Sequence, residues 1–475
     1  MILLKDKLSV EPGFLYIIDQ MELMSAAGRR RMLMQPFITD IATLEHENGN
    51  TERIIECLRQ PECSRAVAVI RHQLMQMHDL QGSLANLSQR MTMEEIELFE
   101  IKNFAFLCME TSKAAATLGI DNIVALPDLH AVFDLLDPDK TQIPNFYIYD
   151  SYHPDLGPLR RQLKARQTLL DNCKGNDDER AALQREVNDL FERQNAIQQQ
   201  VVTQLSDQLY AYCRPLQQAF DRMAYTDLLF ARATMAFEWK LSRPSLGGDS
   251  TALAALWNPR LRHHNEEQKQ RYQPLDISLQ RGVCLITGAN MAGKTVTLKT
   301  VGIAQLMAQF AMFVPADTAQ MTLFDDVVFC IGDEQNEMNG LSSFASEIIK
   351  ISDTITRAET ERLLILIDEP ARTTNPVEGK AIVQSVATLL EQSASTTLIT
   401  THYSQLGLRC RRLRVRGFVE GLANTPLSPQ NINQFMDYSL LPDDSDEVPQ
   451  EALRIASILH CNEKLLDTAQ HFLEP

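Results

Sequence analysis

The fold class of this chain follows most directly from a glycine-rich segment between an apolar strand and a helical pattern. Residues 288–295 read Gly-Ala-Asn-Met-Ala-Gly-Lys-Thr and fit the pattern G-x-x-x-x-G-K-[ST]. The apolar residues 283–287 come just before it, and residues 296–310 show helical spacing of apolar side chains. In this context the backbone N–H groups of the loop turn toward phosphate oxygens at a helix N-terminus. The sequence therefore predicts a Walker A nucleotide-binding loop made of Gly288, Ala289, Asn290, Met291, Ala292, Gly293, Lys294, Thr295 and Val296.

Two side chains at the end of this loop have expected roles. We expect Lys294 to reach the β- and γ-phosphates of ATP, and the Thr295 hydroxyl to help hold Mg²⁺. The alternative is a glycine turn beside a surface lysine, which the flanking strand and helix disfavour.

A second motif ends another apolar strand. Residues 363–367 are all Leu or Ile and lead directly into Asp368 and Glu369. At the carboxyl edge of a parallel sheet, Asp368 can hold the metal through water, and Glu369 can orient or deprotonate the attacking water. His402 follows the strand 397–400 and is expected to contact the γ-phosphate or its water. The alternatives are solvated acids at a strand end and a histidine with a structural role.

The chain divides by pattern into a helical half and an α/β half. Residues 1–243 show helical spacing, with a long helical hairpin expected over about 159–223 and a short strand over 146–149. Residues 244–475 alternate helices with apolar strands, at 283–287, 327–331, 363–367 and 397–400. Fully apolar strands with intervening helices indicate a largely parallel sheet covered on both faces. The predicted fold class is α/β, with a helical core or lever domain followed by a P-loop NTPase domain that ends in a helical segment.

Composition narrows the class of partner. The 475 residues carry 45 basic and 62 acidic side chains, a net charge of −17, which weighs against nucleic acid as the sole partner. The nine cysteines include no C-x-x-C pair, and no apolar run approaches the roughly eighteen residues of a membrane helix. We therefore expect a cytoplasmic protein without a membrane partner.

A cluster of arginines follows His402. The alternation of residues 412–416, Arg-Leu-Arg-Val-Arg, indicates an edge strand with arginines on one face. Such arginines serve to block edge-to-edge pairing or to contact phosphates or an acidic partner.

Residues 287–302 resemble the phosphate loop and helix of MutS-type ATPases, and they are especially similar to the bacterial MutS paralogue linked to recombination control. Further similar segments are 27–33, 227–233, 331–335, 340–344 and 400–406. The resemblance implies an ABC-type ATPase with ATP and Mg²⁺ as cofactors. It also implies that two such domains pair around their nucleotides, as a homodimer or with a related chain. In that arrangement Gly340, Ser342 and Ser343 form a signature loop that contacts the partner's γ-phosphate, unless Ser342 or Ser343 simply caps a helix.

Three departures from this family bear on function. The helical core begins near residue 1, so the mismatch-reading and connector domains are expected to be absent, as is the nuclease-like tail of the paralogue. The hairpin leaves little room for the clamp that closes on DNA. After the acidic pair, where the family has a loop with Gly-Thr, residues 370–376 read Pro-Ala-Arg-Thr-Thr-Asn-Pro. This change bears on communication between the two ATP sites.

The main functional prediction is an ATPase that hydrolyses ATP at a dimer interface and remodels a protein client. The chain resembles a clampless branch of the family that reactivates cobalamin-dependent lysine and ornithine aminomutases. Three features favour this resemblance: the acidic net charge, the missing clamp and the 370–376 loop. The alternative is a DNA-binding MutS-family ATPase that acts on mismatched or branched DNA. A third hypothesis is a nucleotide-binding scaffold with little turnover, which intact Lys294, Asp368 and Glu369 disfavour.

Overall fold

The computed structural model describes residues 1–143, 145–173, 177–289, 292–332, 343–419, 435–445, 453, 456–457 and 461–473. The chain forms two compact units. The sheet unit contains Met1–Glu22, Leu33–Glu52 and Arg232–Pro475, and the helical unit contains Leu23–Met32 and Arg53–Ala231.

Helices account for the regular structure before residue 240. They are α1 Leu4–Leu8, α2 Pro12–Asp19, α3 Ala26–Leu33, α4 Ile41–Arg59, α5 Ser64–Met75, α6 Gln81–Ser88, α7 Glu95–Leu118, α8 Asp121–Val124, α9 His130–Leu135, α10 Leu156–Asp171, α11 Asp177–Leu209 and α12 Cys213–Trp239. Short 3-10 turns occupy Pro61–Cys63, Asp150–Tyr152 and Tyr210–Tyr212. The helices α10 and α11 lie within or close to the range of the expected hairpin, and residues 174–176 between them lie outside the described ranges.

Strands and helices alternate after residue 244. They are β1 Ser245–Leu246, β2 Ser250–Leu256, α13 Pro259–Glu267, β3 Leu275–Gln280, β4 Gly282–Thr287, α14 Lys294–Gln309, β5 Thr318–Met321, β6 Asp326–Cys330, α15 Ser343–Ala358, β7 Leu363–Asp368, α16 Pro376–Glu391, β8 Thr396–Thr400, β9 Arg411–Phe418, β10 Met436–Pro442 and α17 Glu463–Leu473. Among the helices of the described residues, none combines the length and apolar composition that crossing a bilayer requires.

The helical unit is built around α7, whose sequence contains its own start and stop signals. Glu94 and Glu97 form a capping box at its beginning, and Gly119 ends it in the left-handed conformation, with φ of 64°. Lys102 in its middle is completely buried, and its Nζ donates to Asp137 Oδ1 at 2.9 Å, to the Asn145 carbonyl at 2.8 Å and to the Tyr149 hydroxyl at 3.0 Å. All three ammonium protons therefore have acceptors, as burial of a cation requires.

These contacts also explain why the short strand expected over 146–149 is wrong. The segment has no strand conformation, and Ile148 and Tyr149 are both buried although they are neighbours. The alternation of a half-buried strand is therefore absent, because the bonds from Lys102 fix this segment against α7 instead.

The sheet unit contains a six-stranded sheet with the order β10-β9-β4-β8-β7-β6. β9, β4, β8, β7 and β6 run parallel to one another, and β10 pairs antiparallel with β9. All residues of β4 and β8 are buried, and α15 and α16 cover one face through residues such as Ile351 and Val383. The expected α/β class with a largely parallel sheet is confirmed for this unit.

The arginine-rich strand β9 is not an edge strand, so that expectation is wrong. β9 lies between β4 and β10, and the edges of this sheet are β10 and β6. The sequence did not indicate β10, whose pairing with β9 is interrupted by a register shift between Asp437 and Leu440. A second sheet, with the order β1-β5-β2-β3, was also not expected.

Candidate nucleotide site

The loop between β4 and α14 needs glycine at both ends. Gly288 has a φ of 150° and Gly293 a φ of 80°, and both values favour glycine. A Cβ on Gly288 would lie 3.2 Å from Val415 Cβ, and one on Gly293 would lie 3.0 Å from Tyr438 Cδ1. The backbone therefore turns tightly into α14, while Asn290 and Met291 lie outside the described residues. Ala289 and Ala292 are buried beside the turn, and Val296 lies in the first turn of α14.

Lys294, the first residue of α14, is a buried cation. It is 5% exposed, and its Nζ donates to the carbonyl oxygens of Gly288 at 2.9 Å and Ala289 at 3.2 Å. Nζ also lies 3.3 Å from Glu369 Oε1. The sequence-predicted lysine and the sequence-predicted glutamate are thus direct neighbours.

Asp368 ends β7 and accepts two short hydrogen bonds from hydroxyl groups. Thr295 Oγ1 donates to its Oδ2 at 2.7 Å, and Thr400 Oγ1 donates to its Oδ1 at 2.6 Å. A hydroxyl and a carboxylate at this distance are the hard oxygen ligands that Mg²⁺ takes when substrate phosphates and water complete its shell. The donor set therefore fits the expected metal pair, Thr295 and Asp368. The described residues contain no cluster of three His, Cys, Asp or Glu side chains suited to a metal.

Glu369 directs its carboxylate toward three basic side chains. Besides Lys294, Arg372 Nη1 lies 3.8 Å and His402 Nδ1 lies 4.0 Å from its Oε2. Its backbone N–H donates to both the carbonyl oxygen and Oγ1 of Thr400. The structure therefore brings His402, from the loop after β8, to the same edge of the sheet as Lys294 and Glu369.

The residues of the predicted signature loop lie mostly outside the described part of the chain. Gly340 and Ser342 lie outside the described residues, and Ser343 is described only as the first residue of α15. Their expected contact with a partner's nucleotide remains a prediction.

Thr400 and Tyr438 also lie at this site, although no local sequence pattern indicated them. Thr400 pairs in register with Asp368 across β7 and β8, and the available signal was that two neighbouring strands both end in polar residues. Tyr438 is positioned by β10, which the sequence did not predict, and burial raises the pKa of its phenol. Its ring packs against the loop at Gly293.

Three arginines of β9 bond to neighbouring groups of the same unit. Arg411 donates to the Ser278 carbonyl, and Arg412 donates to the carbonyl oxygens of Leu408 and Ser445. Arg416 Nη1 lies 3.1 Å from Asp437 Oδ2. These bonds support a structural role for the three side chains more than a free phosphate-binding face.

Known proteins similar to this chain belong to the family that its sequence motifs resemble. Residues 284–473 match the family model described as MutS domain V. The chain is 32% identical to Endonuclease MutS2 of Caldicellulosiruptor saccharolyticus over 211 residues, which are 44% of this chain and 26% of that protein. Endonuclease MutS2 of Geobacillus thermodenitrificans is 35% identical over 211 residues, with the same two shares. DNA mismatch repair protein MutS of Thermus aquaticus is 29% identical over 260 residues, or 55% of this chain and 31% of that protein.

The chain thus spans about a quarter to a third of the length of these curated relatives. The matched segment begins in β4, runs through the loop and both acidic residues, and ends in α17. Over residues 284–473 the chain is therefore similar to MutS domain V and to proteins of the MutS family.

Proposed function

We propose that this protein binds ATP with Mg²⁺ at residues 288–296, hydrolyses it, and uses the cycle to act on DNA. The observation that supports hydrolysis best is the convergence of Lys294, Thr295, Asp368 and Glu369 at one edge of a parallel sheet, with the distances given above. Ligand sites in open α/β sheets lie at the carboxyl ends of the strands.

Each of these side chains has a separate role in the proposed reaction. Lys294 stabilises the negative charge of the β- and γ-phosphates. Thr295 and Asp368 hold Mg²⁺, which when bound neutralises phosphate charge. Glu369 takes a proton from the attacking water, and His402 orients that water or the γ-phosphate.

DNA is the proposed target because the names of the similar proteins describe activities on DNA. Two are named as endonucleases and one as a DNA mismatch repair protein. By this similarity the active form is a dimer that holds two nucleotides, with Gly340, Ser342 and Ser343 facing the partner's γ-phosphate. The helical unit then corresponds to the family's helical core or lever, and the sheet unit contains its ATPase domain.

A protein client is the second candidate, and the net charge of −17 favours it. An acidic protein pays an electrostatic penalty on approaching the phosphate backbone. The relatives reported above give no support to an aminomutase as that client.

A binding titration separates the two candidates. The purified chain is titrated with duplex, mismatched and branched DNA at near-physiological salt, with and without ATP, and Lys294→Ala serves as the nucleotide-blind control. Structure-selective binding that responds to ATP in the wild type but not in Lys294→Ala is the expected result. Hydrolysis without DNA binding under any of these conditions would contradict the DNA target and favour the protein client.

A further inference from the structure

The loop after Glu369 adopts a backbone conformation that its residues do not favour. Glu369 has a φ of 44° and Ala371 a φ of 61°, and neither is glycine. Residues held in such regions cost about 1–3 kcal/mol each and persist only where surrounding contacts fix them. A glycine would adopt this conformation at little cost. With Glu369 and Ala371 in this conformation, the loop therefore requires contacts that hold the chain in place.

Both backbone polar groups of Ala371 are held by side chains. The Ala371 N–H donates to Glu347 Oε1 at 3.0 Å, and the Tyr403 hydroxyl donates to the Ala371 carbonyl at 3.2 Å. Ala371 is completely buried. Glu347 lies on α15 and Tyr403 on the loop after β8, so two separate elements hold this residue.

The surroundings of Tyr403 are shaped to admit its hydroxyl. A Cβ on Gly379, in α16, would lie 2.1 Å from the Tyr403 oxygen, so only glycine leaves the space. Burial, with smaller contributions from the charges of Glu347 and Glu369, raises the pKa of Tyr403. The hydroxyl therefore keeps its proton and remains a donor near neutral pH.

These contacts bear directly on the proposed catalytic glutamate. The N–H of Glu369 is fixed by Thr400, and two residues later Ala371 is fixed at both polar atoms. We propose that Glu347 and Tyr403 are positioning residues for hydrolysis, which hold Ala371 and thereby keep the Glu369 carboxylate at the phosphate loop. This proposal rests on the proposed function, since it assigns a role in the same reaction.

The first test compares substitutions at the two side chains. Glu347→Ala removes the acceptor, Tyr403→Phe removes the donor, and Glu347→Gln keeps an oxygen that accepts from Ala371. Asp353→Ala, at an exposed acid on the same helix, is the matched control. We expect the first two variants to lower kcat for ATP hydrolysis by about tenfold or more, because misplacing a reacting group by ~1 Å costs up to about 10²-fold. KM should stay within about twofold of wild type, since the contacts do not involve nucleotide binding.

The conservative variant separates positioning from general damage. Glu347→Gln should recover most of the turnover that Glu347→Ala loses, and all variants should retain the wild-type circular dichroism spectrum. Equal loss in Glu347→Gln and Glu347→Ala, a rise in KM with unchanged kcat, or wild-type kcat in both Glu347→Ala and Tyr403→Phe would overturn the proposal.

Hydrogen exchange tests the contact without relying on hydrolysis. In the nucleotide-free protein the Ala371 amide should exchange about tenfold faster or more in Glu347→Ala, and should stay protected in Glu347→Gln. Unchanged exchange in Glu347→Ala would overturn the assignment of Glu347. A wild-type chain that binds ATP but never hydrolyses it would instead defeat the proposed function, and the exchange result would still decide whether Ala371 is held.

Discussion

Lys294 shows how single residues define the site. Its buried ammonium group donates to two carbonyl oxygens of its own loop and forms an ion pair with the carboxylate of Glu369. Each partner of this group is therefore left with an unmatched charge or dipole when the lysine is removed.

Replacement of Lys294 should abolish nucleotide binding. Lys294→Ala removes the positive charge that pairs with the phosphates, so we expect ATP affinity to fall by about 100-fold or more, in line with the loss of a buried charge-assisted contact. Isothermal titration calorimetry measures the affinity, with Lys5→Ala as a control at an exposed lysine of α1. Unchanged affinity in Lys294→Ala would contradict the phosphate-loop assignment.

Replacement of Glu369 should separate binding from turnover. Glu369→Gln removes the proposed base and also a negative charge 3.3 Å from Lys294. We expect kcat to fall by about 10²-fold or more, while ATP binds at least as tightly as to wild type. A phosphate-release assay and a binding titration on the same preparation check both expectations. If hydrolysis persists, the water-activating role belongs to another group, and His402→Ala is the next variant.

At the scale of elements, α14 packs closely on the central strands. A Cβ on Gly302 would lie 2.4 Å from the Phe329 ring of β6 and 2.6 Å from Leu366 Cδ1 of β7. The helix that carries the phosphate loop is thus held against the strand that carries Asp368. A larger residue at position 302 would collide with both strands unless the helix or these side chains moved.

Two glycine-to-alanine changes should have opposite effects on stability. Gly302→Ala should lower the free energy of unfolding by about 1–3 kcal/mol through overpacking. Gly49→Ala, in α4 of the same unit, meets no atom within 4 Å and should raise it by up to about 1 kcal/mol through helix propensity. Urea unfolding of both variants measures the difference. Equal stability of Gly302→Ala and Gly49→Ala would contradict tight packing at Gly302.

The buried Asp137 of the helical unit makes stability depend on acid. Burial alone raises the pKa of Asp137, but hydrogen bonds from Thr141, Lys102 and the Gln142 N–H outweigh it and lower the pKa to about 2. A carboxyl with a lowered folded-state pKa stabilises the fold above about pH 4, and this contribution is lost as the pH falls toward 2. The shift corresponds to about 2 kcal/mol.

The measurement compares wild type with Asp137→Asn. The wild type should be more stable in urea at pH 6, and its advantage should shrink by about 2 kcal/mol between pH 5 and pH 2. A constant advantage across this range would contradict the assignment.

The sequence predicted the elements whose signals are local. The strands β4, β6, β7 and β8 were each marked by an apolar run, and the loop at 288–295 by glycines at fixed spacing. Thr400 was not predicted, because its role depends on the register between β7 and β8, which no local pattern encodes. The strand β10 was not predicted, because its apolar and polar residues do not alternate regularly and its pairing with β9 is interrupted.

At the scale of the whole molecule, the N-terminal residues belong with the sheet. Lys7 of α1 pairs with Asp326 and donates to the Val327 carbonyl of β6. Phe14 of α2 stacks on Phe310, just beyond α14, with ring centroids 5.8 Å apart. Residues 1–22 were expected in the helical half, because their helical spacing carries no information on which unit they contact.

The proposed dimer gives a prediction at this scale. With hydrolysis blocked, Glu369→Gln should accumulate with ATP bound, and two copies should stay associated. Sedimentation velocity should then show a shift from monomer to dimer on addition of Mg²⁺ and ATP. The double variant Lys294→Ala/Glu369→Gln, which should not bind ATP, is the control. A monomer at saturating ATP would contradict nucleotide-dependent pairing.

The ion pair between Lys294 and Glu369 has a consequence for ligand selectivity. In the proposed complex a phosphate lies beside Lys294, where the Glu369 carboxylate now lies. An incoming ligand therefore competes with Glu369 for the lysine. A ligand with one negative charge beside Lys294 replaces one ion pair with an equal one. A γ-phosphate with more negative charge is attracted more strongly to Lys294 than the Glu369 carboxylate is. We therefore expect this contact to disfavour anions whose charge is too small to displace the Glu369 carboxylate from Lys294.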